Sequence, residues 1–63
     1  MNYTLETNSK ITGQRCYYDG YGFALRREDA RIFYTAHKWA AAEEHAANVS
    51  AAFNGHEVEP CEA

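Results

Sequence analysis

No run in this chain approaches the roughly twenty apolar residues of a membrane-spanning helix. The amino terminus, MNYTLETNSK, carries neither the basic start nor the apolar stretch of a secretory signal. No membrane association is therefore expected, and the expected location is the cytoplasm. A basic excess is missing too. Nine acidic residues stand against six basic ones, a net charge of −3, whereas a simple nucleic-acid binder needs a basic footprint. Direct binding to nucleic acid is not expected; the balance suits a partner with a basic surface. Cysteine is scarce. Cys16 and Cys61 make no framework of the small secreted kind, and a reducing cytosol predicts two free thiols. A glycine-rich phosphate loop is lacking, because Gly13, Gly20 and Gly22 sit in or beside expected strands. Length is the last shortage. Sixty-three residues allow one domain over 1–63. Such a domain buries only about 60% of its unfolded surface and has no room for an enclosed substrate cavity of the usual size.

What is present is enough to fold. The chain is 46% hydrophobic and 14% aromatic, which argues against disorder. The clearest pattern is Ala36–Phe53, where Trp39, Ala42, Ala46, Val49 and Phe53 recur at helical spacing. Alanine dominates the stretch and is the best helix former. Thr35 stands where an N-cap belongs, and Asn54-Gly55 reads as a stop. Lys38, Glu44, His45 and Asn48 fall largely on the other faces. Before this helix, Tyr3–Thr7 alternates as a half-buried strand. Ile11–Tyr18 reads as a second strand with Gly13 as a weak point, Asp19-Gly20 as a hairpin turn, and Tyr21–Arg26 as a third strand. Residues 28–33 suggest a helical turn. His56–Cys61 is a candidate last strand, confined to an edge by Pro60. The expected fold is α+β: a small antiparallel sheet of three to four strands with one long Ala-rich helix packed on one face. Its expected core is Tyr3, Leu5, Ile11, Tyr18, Phe23 and Leu25 from the first half, with Ile32, Phe33, Trp39, Val49, Phe53 and Val58 from the second.

Few residues suggest chemistry. His37 and His45 lie eight apart with Ala41 between them, so the one-turn spacing of helical zinc ligands is missing; exposed histidines are favoured over a metal site. No signature pairs a cysteine with a histidine as nucleophile and base. The carboxylate neighbours Glu28-Asp29 and Glu43-Glu44 do not face each other on a helix, so neither is an acid/base dyad. No catalytic residue, metal or cofactor is assigned. Binding residues are easier to name. Tyr17, Tyr18 and Tyr21 surround the Asp19-Gly20 turn, where strand propensity accounts for them but where exposed rings also make partner contacts. Glu57 and Glu59 crowd the last strand with Glu62, and Glu43 and Glu44 add charge on the helix. Regularly placed carboxylates can imitate nucleic-acid phosphates and bind the lysines and arginines that hold DNA; Arg26, Arg27, Arg31 and Lys38 dilute that field.

As a whole, the chain resembles the small anti-CRISPR proteins of phages and mobile elements that inactivate type I effector complexes. The similar features are a very short acidic domain, a few strands with one Ala-rich helix, and the aromatic hairpin CYYDGYGF. These proteins share no common motif, so no residue role transfers by position. The resemblance implies a non-enzymatic inhibitor in a bacterial host cell, monomeric or a weak homodimer. Its partner would be a Cas protein subunit of a type I effector complex, bound at a DNA-handling surface. Glu57, Glu59, Glu43, Glu44 and Asp19 would supply the charge, with Tyr17 and Tyr21 as flanking contacts. The alternative is a small phage accessory or structural module that self-associates. A nucleic-acid binder using Arg26, Arg27, Arg31 and the tyrosines comes third.

Overall fold

The computed structural model describes residues 1–54 and 56–63; Gly55, half of the expected Asn54-Gly55 stop, lies outside the described residues. In chain order the elements are β1 (Asn2–Asn8), β2 (Arg15–Tyr18), β3 (Phe23–Ala24), a 3-10 turn (Arg27–Asp29), β4 (Phe33–Tyr34), α1 (Trp39–Ala52) and β5 (Glu59–Glu62). The strands form one antiparallel sheet and α1 packs on one face of it, which is the expected α+β architecture. The segment His56–Cys61 does join the sheet, through β5.

β1 is the hub. One of its edges pairs with β2 (Thr7 opposite Cys16) and then with β4 (Tyr3 opposite Phe33). β5 takes the other edge, with Leu5 opposite Pro60. Thus β2 and β4 lie end to end along one side of β1. The chain leaves that line after Tyr18 and returns to it at Phe33, and the Arg31 N–H donates to the Tyr18 carbonyl at 3.0 Å where the two meet. Strand alternation then divides the side chains. Tyr3, Leu5 and Thr7 are buried beneath the helix, whereas Thr4 and Glu6 point to the opposite face.

The helix presents Ala42, Ala46 and Val49 to the sheet. These small side chains let it lie close, and aromatic rings fill the space on one side. Tyr3 stacks on Phe33 at 5.6 Å and meets Trp39 edge-on at 6.1 Å. Phe53 stands edge-on to Phe23 at 5.2 Å. His45, expected on an outer face, is half-buried beside these rings, with its Nδ1 hydrogen-bonded to the Tyr3 hydroxyl at 2.8 Å. Burial pushes the Tyr3 phenol above its ordinary pKa.

Several expectations are corrected. Ile11 is 95% exposed, because residues 9–14 form a loop and β2 begins only at Arg15. Ser9 closes that loop: its N–H donates to the Gln14 carbonyl and its carbonyl accepts from Gly13, each at 2.8 Å. Gly13 adopts φ 75°, which a strand does not allow. Leu25 and Ile32 are exposed as well, since β3 ends at Ala24 and alternation around the core-facing Phe33 turns Ile32 outward. Of residues 28–33, only Glu28 and Asp29 are helical; Phe33 starts a strand. Tyr3, Leu5 and Val49 are buried as expected, with Tyr18, Phe23, Phe33, Trp39, Phe53 and Val58 packed around them.

The helix is also shorter than its pattern. Thr35 is not its N-cap: the Thr35 N–H donates to the Met1 carbonyl at 3.0 Å, extending the β4 ladder, and its hydroxyl accepts from the His37 N–H at 3.2 Å. Lys38 occupies the cap position with extended backbone (φ −76°, ψ 153°) and no side-chain cap bond. A lysine there leaves amide donors unsatisfied and sets a positive charge at the positive end of the helix dipole. Lys38→Asp should therefore raise stability by about 1 kcal/mol, a rise in Tm of about 4–8 °C for a domain this small. Thermal unfolding followed by Trp39 fluorescence measures it; an unchanged or lower Tm contradicts this account of the cap.

Candidate functional site

The last strand approaches the helix through two side-chain bonds. Buried Thr7 on β1 donates its hydroxyl to the Glu57 carbonyl at 2.8 Å. Ser50 on α1 donates to the Ala46 carbonyl and accepts the Val58 N–H, each at 2.9 Å. Residues 57–58 are thus fixed from the sheet and from the helix together. Beside them a groove of about 470 Å³ runs between α1 and β5. Ala46, Ala47 and Ser50 form one wall and Val58 and Pro60 the other, with Glu43, Glu57 and Glu59 around the rim. His56 closes one end, stacked on Phe23 at 4.9 Å, and its buried Nδ1 has no hydrogen-bond partner among the described residues.

Three of the expected binding residues therefore converge. Glu43, Glu57 and Glu59 line one groove although they come from two elements. Glu44 is exposed on the same helix but does not line the groove. Asp19 and Tyr21 belong to the β2–β3 hairpin, and Tyr17 lies opposite Glu6 on the sheet face away from the helix. Asp19 is engaged in its own turn. The backbone N–H groups of Gly22 and Tyr21 donate to its Oδ1 at 2.8 Å each, which holds its carboxyl below the ordinary value. Tyr21 is 90% exposed.

The residue that sequence reasoning missed is Arg15. On the face away from the helix it reaches from β2 across β1 to β5. Its Nε donates to Glu6 Oε1 at 3.0 Å, its Nη2 to Glu59 Oε1 at 2.5 Å, and its Nη1 to Asn8 Oδ1 at 3.2 Å. Glu6 also accepts the Thr4 hydroxyl at 2.7 Å. Burial alone would push the Glu6 carboxyl up, but the bonds from Thr4 and Arg15, with the charges of Arg15 and Arg27, hold it below the ordinary glutamate value. The Glu59 bond, then that of Glu6, keeps Arg15 firmly protonated. Although the Glu59 contact is the shorter, Glu59 is 61% exposed and Glu6 only 8%, so water screens the first and not the second. The only signal in the sequence was parity: Arg15 and Glu6 share a face once the register is known.

The two cysteines occupy opposite faces. Cys16 pairs with Thr7 on the helix side and Cys61 with Thr4 on the other, and both are free thiols. Burial and the Glu6 charge push the Cys61 thiol up against the opposing pull of Arg15. Among the described residues no group of three His, Cys, Asp or Glu side chains could hold a metal ion, and no helix is long and apolar enough to cross a membrane. Of the basic cluster, Arg26 pairs with Glu28. Arg31 lies 5.5 Å from the centre of the Phe33 ring and passes so close to Gly20 that a Cβ there would stand 3.1 Å from it. No protein-family model matches the chain, and no characterised protein or solved structure matches it.

Arg15→Ala should cost about 2 kcal/mol, because it strands a buried carboxylate. Glu59→Ala should cost under about 1 kcal/mol, as an exposed pair does. Equal losses in urea unfolding would contradict this ordering. The pH dependence follows from Glu6. Its folded value lies below the unfolded one of about 4.3, so its stabilisation is complete above that pH and is lost as pH falls through the folded value. Glu6→Gln should flatten the fall of Tm between about pH 5 and pH 3; an unchanged acid limb would contradict it.

Proposed function

We propose that this chain is a non-enzymatic inhibitor of a type I CRISPR-Cas effector complex. It engages a basic, DNA-handling surface of a Cas subunit with its acidic α1–β5 side and so blocks recognition of target DNA inside the bacterial host cell. The observation that supports this most is that Glu43 and Glu57, neither of them in an ion pair among the described residues, line one groove in a chain of net charge −3. Carboxylates held by a rigid scaffold steer a basic partner and fix its orientation. The backbone that carries Glu57 is fixed by Thr7 at its carbonyl and by Ser50 at the next N–H. Asp19, Tyr17 and Tyr21 then serve as peripheral contacts, and Glu44 adds to the field.

One observation favours the alternative, a phage accessory module that self-associates. Ile32 and Tyr34 are exposed on the sheet face that the helix leaves uncovered, and such a patch suits a second copy.

The test is competition. Purified type I effector complexes are incubated with target DNA and increasing amounts of the chain, at low and at high salt. The expected result is loss of DNA binding that weakens as salt rises, with Glu43→Lys/Glu57→Lys at least about tenfold less effective. Glu59 is left intact because a lysine there would face Arg15. DNA binding unaffected across the type I complexes, with a stable oligomer on sizing, would overturn the inhibitor reading in favour of self-association.

A further inference from the structure

An exposed strand edge beside a groove invites strand addition by a partner peptide. The outer edge of β5 is unsuited to it. In an antiparallel pair, alternate residues bond inward and outward. The Ala63 N–H donates to the Asn2 carbonyl at 3.1 Å, so with the observed register Glu59, Cys61 and Ala63 bond towards β1. Val58, Pro60 and Glu62 then turn their backbone groups outward. The Val58 N–H is already taken by Ser50, and Pro60 has none to give. Two successive outward donors are thereby removed along the groove, leaving Glu62 beyond it.

What remains for recognition is side-chain chemistry. The groove walls are alanine, valine and proline with Ser50, His56 closes one end, and among the described residues no lysine or arginine lines it. Glu43 stands on the helix side and Glu57 on the strand side; both are exposed, and neither forms an ion pair among the described residues. Glu59, by contrast, is bound to Arg15. Two free carboxylates on the two sides of a largely apolar groove match one side chain best: an arginine, whose stem packs on apolar surface while its planar guanidinium donates in two directions.

We infer that the α1–β5 groove is an arginine receptor: it takes a single arginine side chain from a basic partner protein, clamped between Glu43 and Glu57, without strand addition at β5. This rests on the reading above only in treating the partner as a basic protein. It explains why the edge carries Pro60 and why Ser50 spends its oxygen on Val58. The arrangement keeps the groove open to a side chain while closing the edge to another strand.

The probe is the capped tripeptide acetyl-Gly-Arg-Gly-amide, titrated at low salt into the isotope-labelled protein and followed by amide chemical shifts. Saturable shifts are expected at Ala46, Ala47, Glu57 and Val58. The citrulline tripeptide, which keeps the shape and loses the charge, should bind roughly tenfold more weakly, and so should arginine to Glu43→Gln/Glu57→Gln. Asp29→Asn, at an exposed carboxylate that does not line the groove, should bind as the parent does. Dispersed spectra of each variant show that the fold is kept. Shifts scattered over the surface, or equal affinity for citrulline, would overturn the inference. The two proposals fail separately. If effector complexes are inhibited while the tripeptide shifts fall elsewhere, the arginine receptor is wrong and the inhibitor stands. If the tripeptide fills the groove but no effector complex is affected, the receptor stands and the inhibitor does not.

Discussion

A single strand saturated on both edges governs this fold. β1 bonds to β2 and β4 on one side and to β5 on the other, so almost every long-range pairing passes through seven residues. The alternation of that strand commits its two faces to different chemistry. Tyr3, Leu5 and Thr7 face the helix and set the core; Thr4 and Glu6 face away and set a polar network that Arg15 completes. A shift of one residue in register would place Glu6 under the helix and Leu5 in its stead on the polar face. The buried ion pair therefore specifies register as well as adding stability, a role that suits a domain too small to rely on area alone.

The groove follows from the same constraint. Among the described residues, the seam where α1 meets the last strand opens into a groove of about 470 Å³. Alanines on the helix keep the seam shallow and apolar. Thr7 and Ser50 use side-chain bonds where a longer strand would use backbone ones, and they fix the backbone at Glu57 and Val58 beside the groove. Core and groove thus share residues: Thr7 is buried on the hub strand and also holds the backbone carbonyl of Glu57 beside the groove.

Much of the architecture was legible because periodicity reports burial. The helix around Ala42, Ala46 and Val49, the first strand and the edge position of Pro60 all followed from spacing and backbone chemistry. What stayed hidden depended on contacts distant in sequence. Ile11 belongs to a strand pattern, yet Ser9 and Gly13 close a loop that lifts it into solvent. Thr35 has the side chain of a cap, but pairing at the chain start draws it into a strand. Arg15 looked unremarkable until the register set it over Glu6. Glu43, Glu57 and Glu59 stood out in the sequence by charge, and that they line one groove needed only that the last strand lie beside the helix. Asp19 was indistinguishable from them in sequence, although its turn amides already engage it.

The most direct measurement is site-specific photo-crosslinking. A benzophenone side chain is placed at Ala47 on the groove wall, or at Ile32 on the uncovered sheet face, and each protein is mixed with a purified type I effector complex. The account predicts a crosslink from position 47 to a Cas subunit at an arginine-bearing, DNA-handling surface, and none from position 32. A crosslink from position 32 to a second copy of the chain, with position 47 silent, would contradict it.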